Sequence, residues 1–467
     1  MNKLLPASLV LALAAPLHAL ADTPSDIQAL RQEIAAIRSA YEARLQALEQ
    51  RLKAAESSSP AMSAPPTPAA PPAPPPAFAT APAVAPPTGG ANAFNPAMSL
   101  ILSGQYVRSS RDPAGYTIRG FPSPTGAELG PGTRGFSLAE SELGLAANID
   151  PWLRGNASIA LHPDDSVSVE EAFVQTTSLG QGLTLKAGRF FSGVGYLNSQ
   201  HAHAWDFADN PLAYQALLGT QFADDGVQLN WLAPTDQFIE LGMELGRGRG
   251  FPGGDNGRNG AGMSALTAHT GGDLGDSHSW RAGLSVLSAK ADGQSLAWLG
   301  NGPGGSGDPI TRTFSGRTRV WVADAIWKWA PNGNASRTSF KLQGEYLRST
   351  RSGSLAAEEP GDAIADLRTV QSGWYVQGVY QFMPGWRVGL RTERLNAGAA
   401  PLALGDSASA DDGFRPSKNT LMLDFNPSEF SRVRLQLAQD RSRPGPTDQQ
   451  ITLQYQMSLG AHGAHRY

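Results

Sequence analysis

The stretch "NSQHAHAWDFADN" gathers much of the chain's metal-binding and charge chemistry into residues 198–210. His201 and His203, two apart, project the same way on extended backbone, and Asp206 and Asp209 follow closely. Imidazole beside carboxylate suits zinc or another divalent ion, which makes His201 and His203 candidate metal ligands. The same four side chains also suit a polar constriction, where a few charges at the narrowest point of a pore govern what passes. A His-x-His pair in a polar loop is common, so the constriction is the reading carried forward. Ser192 and Ser199 beside these histidines form no nucleophile-and-base pattern, so no catalytic residue is assigned and the chain is not expected to be an enzyme. Cys is absent, which removes thiolate chemistry, and no cofactor is implied.

Charges on the flanking segments form a second set. Glu140, Glu142, Arg154, Arg387, Arg391, Arg432 and Arg434 fall in one phase of alternating stretches, as do Lys341, Glu345, Glu393 and Asp424. The opposite phase is apolar: Leu143, Leu145, Ala147 and Ile149, or Ile239, Leu241, Met243 and Leu245. Period-two alternation marks a strand with two unlike faces, and charge on one face of strand after strand requires a wet interior.

Connections between these stretches come in two kinds. Short ones include "IDPW", "SLGQG", "APTDQ", "MPGW" and "NPSEF"; the others are mostly long, at 108–134, 191–223, 246–260, 290–315, 350–369 and 397–416. Tight turns at one end and larger loops at the other are the pattern of a transmembrane β-barrel. Trp152, Trp231, Trp327, Trp329, Phe382, Trp386 and Phe425 gather beside the short turns, as an interfacial aromatic girdle would. The expected fold over 97–467 is an all-β barrel of about 16 antiparallel strands in outer-membrane lipid. Counts of 14 or 18 stay open, because the pair 261–270 and 279–289 is weakly marked.

Three segments precede the barrel. Residues 1–21 have a basic start, an apolar middle and a small-x-small ending, the features of a secretory signal peptide. Residues 22–56 place Ile27, Leu30, Ile34, Ile37, Tyr41, Leu45, Leu48 and Leu52 in steps of three and four, which predicts a periplasmic helical coiled coil. Residues 57–96, rich in Pro and Ala, form an extended spacer. An even strand number puts both ends in the periplasm. Tyr467 continues the apolar phase of Ile451, Leu453, Tyr455, Met457 and Leu459, and resembles the terminal aromatic that barrel-assembly machinery reads. With 37 basic and 41 acidic residues, the charge implies no nucleic-acid partner.

The segment "SVSVEEAFVQTTSLGQGLTLKAGRFFSGVGYLNSQHAHAWDFADNPLAYQALLG", with Gly226-Val227-Gln228-Leu229 after it, resembles the phosphate-selective porins of the O/P type. The resemblance implies a sixteen-stranded homotrimeric porin whose third loop, here about 191–222, folds inward and narrows a water-filled channel for small solutes or ions. In that family anion selectivity rests on lumen arginines and a lysine cluster. Here acidic and basic residues share the inward phase, which would create a transverse field, so phosphate selectivity is not carried over. Two alternatives remain: a structural tether in contact with the cell wall through the coiled coil, and a TonB-dependent type of receptor, with metal-related uptake as one variant.

Overall fold

The computed structural model describes residues 96–124, 129–254, 259–300, 307–356, 365–399 and 413–460. The expected signal peptide, coiled coil, spacer and Tyr467 lie outside them.

Stretches that alternate in sequence become strands: β1 (Ala97–Ser109), β2 (Gly135–Leu138, continued by Ser141–Asn148), β3 (Leu153–Leu161), β4 (Val167–Thr176), β5 (Leu183–Phe191) and β6 (Ala223–Leu232). The series goes on through β7 (Phe238–Gly246), β8 (Met263–Leu274), β9 (His278–Gly300), β10 (Gly307–Trp329) and β11 (Ser339–Ala356). It ends with β12 (Ala365–Met383), β13 (Trp386–Asn396), β14 (Ser417–Ser428), β15 (Ser431–Arg441) and β16 (Asp448–Gly460). Each strand pairs antiparallel with the next, and β16 returns to β1 from Ser99↔Gly460 to Ser109↔Gln450. Both pieces of β2 pair with β1 and count as one strand, and a two-residue bridge at Ser123–Pro124 pairs with β9 outside this ring. The result is a closed barrel of 16 strands, without the exposed edges of an open sheet. A TonB-dependent receptor would need a larger ring, commonly of 22 strands.

Burial along the strands is inverted relative to a water-soluble sheet. On β16, Thr452, Gln454, Gln456 and Ser458 are 5–9% exposed, whereas Ile451, Leu453, Tyr455 and Leu459 are 38–47% exposed. On β7, Glu244 is buried while Leu241, Met243 and Leu245 face outward. Polar groups go to the interior because the interior offers them partners; the outer face is left to aliphatic and aromatic side chains. Among the described residues no helix is long and apolar enough to cross a membrane, which says nothing of strands.

Wall height is uneven. Strands β3 to β7 have 9 or 10 residues, whereas β9 and β10 have 23 each. About 9–11 tilted residues cross a bilayer's hydrocarbon, so β9 and β10 rise well beyond it. This corrects the expectation of loops over much of 290–315 and 350–369. Alternation continues there and feeds a satellite core of Phe251, Ala291, Leu296, Trp298, Phe314, Leu355 and Leu367, which supplies the burial those extensions need. At the other end the aromatics meet across short turns, with Trp386 stacked on Phe425 at 4.5 Å and Trp327 against His278 and Phe340.

Candidate functional site

Residues 192–222 leave β5 and pack among the inward-facing side chains. Their apolar members explain why. Val194, Leu197, Trp205 and the helix α1 (Leu212–Leu218) are buried in one cluster with Met263, Ala265, Leu287, Val320, Val322, Leu347, Tyr375 and Leu395 of the wall. Pro211 opens α1, and Gly219 closes it at φ 65°, the left-handed turn that glycine adopts without a Cβ clash. The first long connection joins the same cluster through Tyr116, Ile118 and Phe121. The long connection over 108–134 is thus tied to the interior: Tyr116 Oη donates to Asp440 at 2.8 Å, and Gly130 N donates to Gln215 of α1 at 3.1 Å.

The segment bridges two walls of opposite charge. On one side stand Glu142 of β2 and Glu170 and Glu171 of β4. His201 Nδ1 lies 3.2 Å from Glu142 and 3.1 Å from Glu170, its Nε2 lies 3.1 Å from Glu171, and His203 Nδ1 lies 2.9 Å from Glu142. Burial works against a charged imidazole at His201, but hydrogen bonds to Glu142, Glu170 and Glu171 outweigh it and hold its pKa well above the usual histidine value. On the other side Asp206 pairs with Lys341 of β11 and Arg387 of β13, and accepts from Gln377 of β12 at 3.1 Å. Asp209 accepts from Arg391 at 2.8 Å, Lys418 at 2.5 Å and Gln436 at 2.8 Å. Burial would raise both aspartate pKa values; Lys341 and Arg387, or Arg391 and Lys418, overcome it and hold them below the usual carboxylate range.

The arginines of β15 grip backbone. Arg432 donates to His203 O at 2.9 Å, and Arg434 donates to Trp205 O at 3.0 Å while forming a two-point contact with Asp424. Glu345 of β11 accepts from the Tyr196 and Leu197 amides at 3.1 and 3.0 Å and from the hydroxyls of Tyr214 and Tyr375. Of the residues singled out in the sequence, His201, His203, Glu142, Asp206, Asp209, Arg387, Arg391, Arg432 and Arg434 thus meet in one site. The histidines and aspartates, expected together, turn to opposite walls. Glu140 lies beside Glu170 at the acidic wall. Arg154 pairs in register with Asn148 and Gln175, at the short-turn end of its strand.

Sequence reasoning missed Glu170, Glu171 and Lys418 as site residues. Two consecutive glutamates in an alternating strand carried a signal. The β3–β4 register skips Glu170, with Ser158 opposite Glu171 and Ile159 opposite Val169. Such a bulge lets neighbouring side chains serve one face.

No family model matches the chain. A protein of Aquifex aeolicus (strain VF5), described as an uncharacterized protein, is 32% identical over 397 residues, covering 80% of each chain. The chain belongs to that protein's family. Among solved structures this chain's barrel is similar to Pseudomonas putida OprB at high pH, with 13% identity, a TM-score of 0.47 and coverage of 78% of this chain and 94% of that one. It is also similar to an anion-selective porin from Comamonas acidovorans, with 11% identity, a TM-score of 0.47 and coverage of 78% and 99%. At these levels no residue role passes from either protein to this one.

Proposed function

We propose that the protein is an outer-membrane porin whose water-filled channel, narrowed by residues 192–222, passes small solutes or ions. The inverted burial on a closed ring carries the reading. Lipid satisfies outward Leu, Ile, Val and aromatic side chains, while ring closure satisfies every strand's backbone without water. A polar, charge-lined interior is then the solvated path.

Passage between an acidic wall and a basic wall acts on ions through the transverse field between them. His201, His203, Asp206 and Asp209 set that field at the constriction. In this reading the aspartates mask Lys341, Arg387, Arg391 and Lys418, leaving the path close to neutral. The coiled coil at 22–56 would sit in the periplasm and hold a homotrimer, within reach of the cell wall.

Planar-bilayer recording of the folded full-length protein tests this. Discrete ohmic steps are expected in the native protein. A double Asp206→Asn, Asp209→Asn variant should move the reversal potential in a KCl gradient toward anions, because it removes two negative charges and bares Lys341 and Lys418, while Arg387 and Arg391 keep Asp424 and Glu393. Folded protein that carries no current rejects the channel. An unmoved reversal potential rejects the constriction.

A further inference from the structure

The acidic wall sets three carboxylates, Glu142, Glu170 and Glu171, around the ring of His201. One oxygen of Glu142, one of Glu170 and a ring nitrogen of His201 lie within 4.8 Å of one another. His203 Nδ1 approaches the same Glu142 oxygen that His201 Nδ1 faces, at 2.9 and 3.2 Å. The two imidazoles stack with centroids 5.6 Å apart and planes 18° apart, so both turn the same nitrogen to one carboxylate. Donors held about 2.0–2.2 Å from a tetrahedral ion stand roughly 3.3 Å from one another, close to the distances from His201 to Glu142 and Glu170 and from His203 to Glu142.

The partners on the two walls also differ in kind. At the basic wall each loop aspartate faces lysine and arginine, which a metal ion does not displace. At the acidic wall Glu142, Glu170 and Glu171 face imidazoles, so nitrogen and carboxylate-oxygen donors, the mixed set that suits a transition ion, stand side by side.

We propose that Glu142, Glu170, His201 and His203 form a binding site for a divalent first-row transition ion, which fastens residues 192–222 to β2 and β4. Two nitrogen and two oxygen donors favour zinc, nickel or copper over calcium and magnesium, which prefer oxygen alone. Side-chain exposures of 22% at His201 and 13% at His203 leave the site open to ions from the interior. Its inward location rests on the barrel reading, but binding does not require the channel to conduct.

The test is zinc binding to the folded full-length protein in detergent, by isothermal titration after chelator treatment and by metal analysis after dialysis. One zinc per chain is expected, together with a zinc-dependent rise in Tm. H201Q and E170Q should each weaken binding at least tenfold and abolish the rise, whereas H278Q, at a short turn remote from these residues, should bind as the native protein does. X-ray absorption of the zinc-loaded protein should report mixed imidazole and carboxylate ligation. If H201Q does not fold, the isosteric E170Q and the absorption spectrum decide. No retained zinc, or zinc held equally by the native protein and a folded E170Q or H201Q variant, overturns the site. Zinc binding by a protein that carries no current would leave this site standing and reject the channel alone.

Discussion

Asp209 shows how much a single carboxylate carries in this molecule. It accepts from Arg391, Lys418 and Gln436, and the first two are 1% exposed in their side chains. Removing one partner of a buried pair leaves uncompensated charge, which costs on the order of 3–5 kcal/mol. Glu393 stays within reach of Arg391 at 2.7 Å and offsets part of this. Asp209→Ala should therefore lower Tm and speed protease cleavage within 192–222; an unchanged cleavage rate would show that the apolar cluster alone holds the segment.

The same pair sets a pH window. Asp206, facing Lys341, Arg387 and Arg434, and Asp209, facing Arg391 and Lys418 with Glu393 nearby, both titrate below their unfolded values. A depressed carboxyl pKa adds stability above the unfolded value near 3.9 and loses it as pH falls through the folded value. His201, whose folded pKa is raised, contributes fully below its unfolded value near 6.5 and loses stability only as pH rises. Cleavage within 192–222 should thus not increase from pH 7 to about 5 and should rise only in stronger acid. A rise already complete near pH 5 would place the controlling group elsewhere.

Among the elements, the inward segment depends on a turn that only glycine fits. Gly195 has φ 70°, and a Cβ there would meet Glu345 Oε2 at 2.3 Å and Tyr214 Oη at 2.7 Å. Those atoms belong to the hub where Glu345 accepts from two loop amides and two tyrosines. Gly195→Ala would add a strained backbone, about 1 kcal/mol or more, and would also push the hub apart. The expected result is a folded barrel, still heat-modifiable on gels, whose segment 192–222 is cut at least several-fold faster. Equal protection in G195A and the native protein would deny the hub its role. The strands themselves should be indifferent, since β5 and β6 pair from Leu183↔Trp231 to Phe191↔Ala223 without the segment between them.

At the scale of the whole molecule, the barrel closes on itself from Ala97 to Gly460, so its folding and its assembly should separate. A chain lacking 22–56 should still give a heat-modifiable barrel, while light scattering in detergent should move from a trimer toward a monomer. A trimer of unchanged mass would place the contacts on the barrel wall and leave the heptad-like seam of Ile27, Leu30, Ile34 and Ile37 without that duty.

Alternation was legible in the sequence because it is local: side chains two apart on a strand share a face wherever the strand lies. Strand positions and the division of charge from apolar side chains followed from that. Ring closure decided which face met the interior, and so made Gln454 buried and Leu453 exposed. Pairing within the site could not be read the same way. His203 meets Glu142 across 61 positions, and Asp209 meets Lys418 across 209. A spacing of two or three along the chain says where side chains start, whereas attraction between opposite charges that face one another across the interior decides where they end. The histidines went to the glutamates and the aspartates to the arginines and lysines because only the closed barrel put those walls on either side of one short segment.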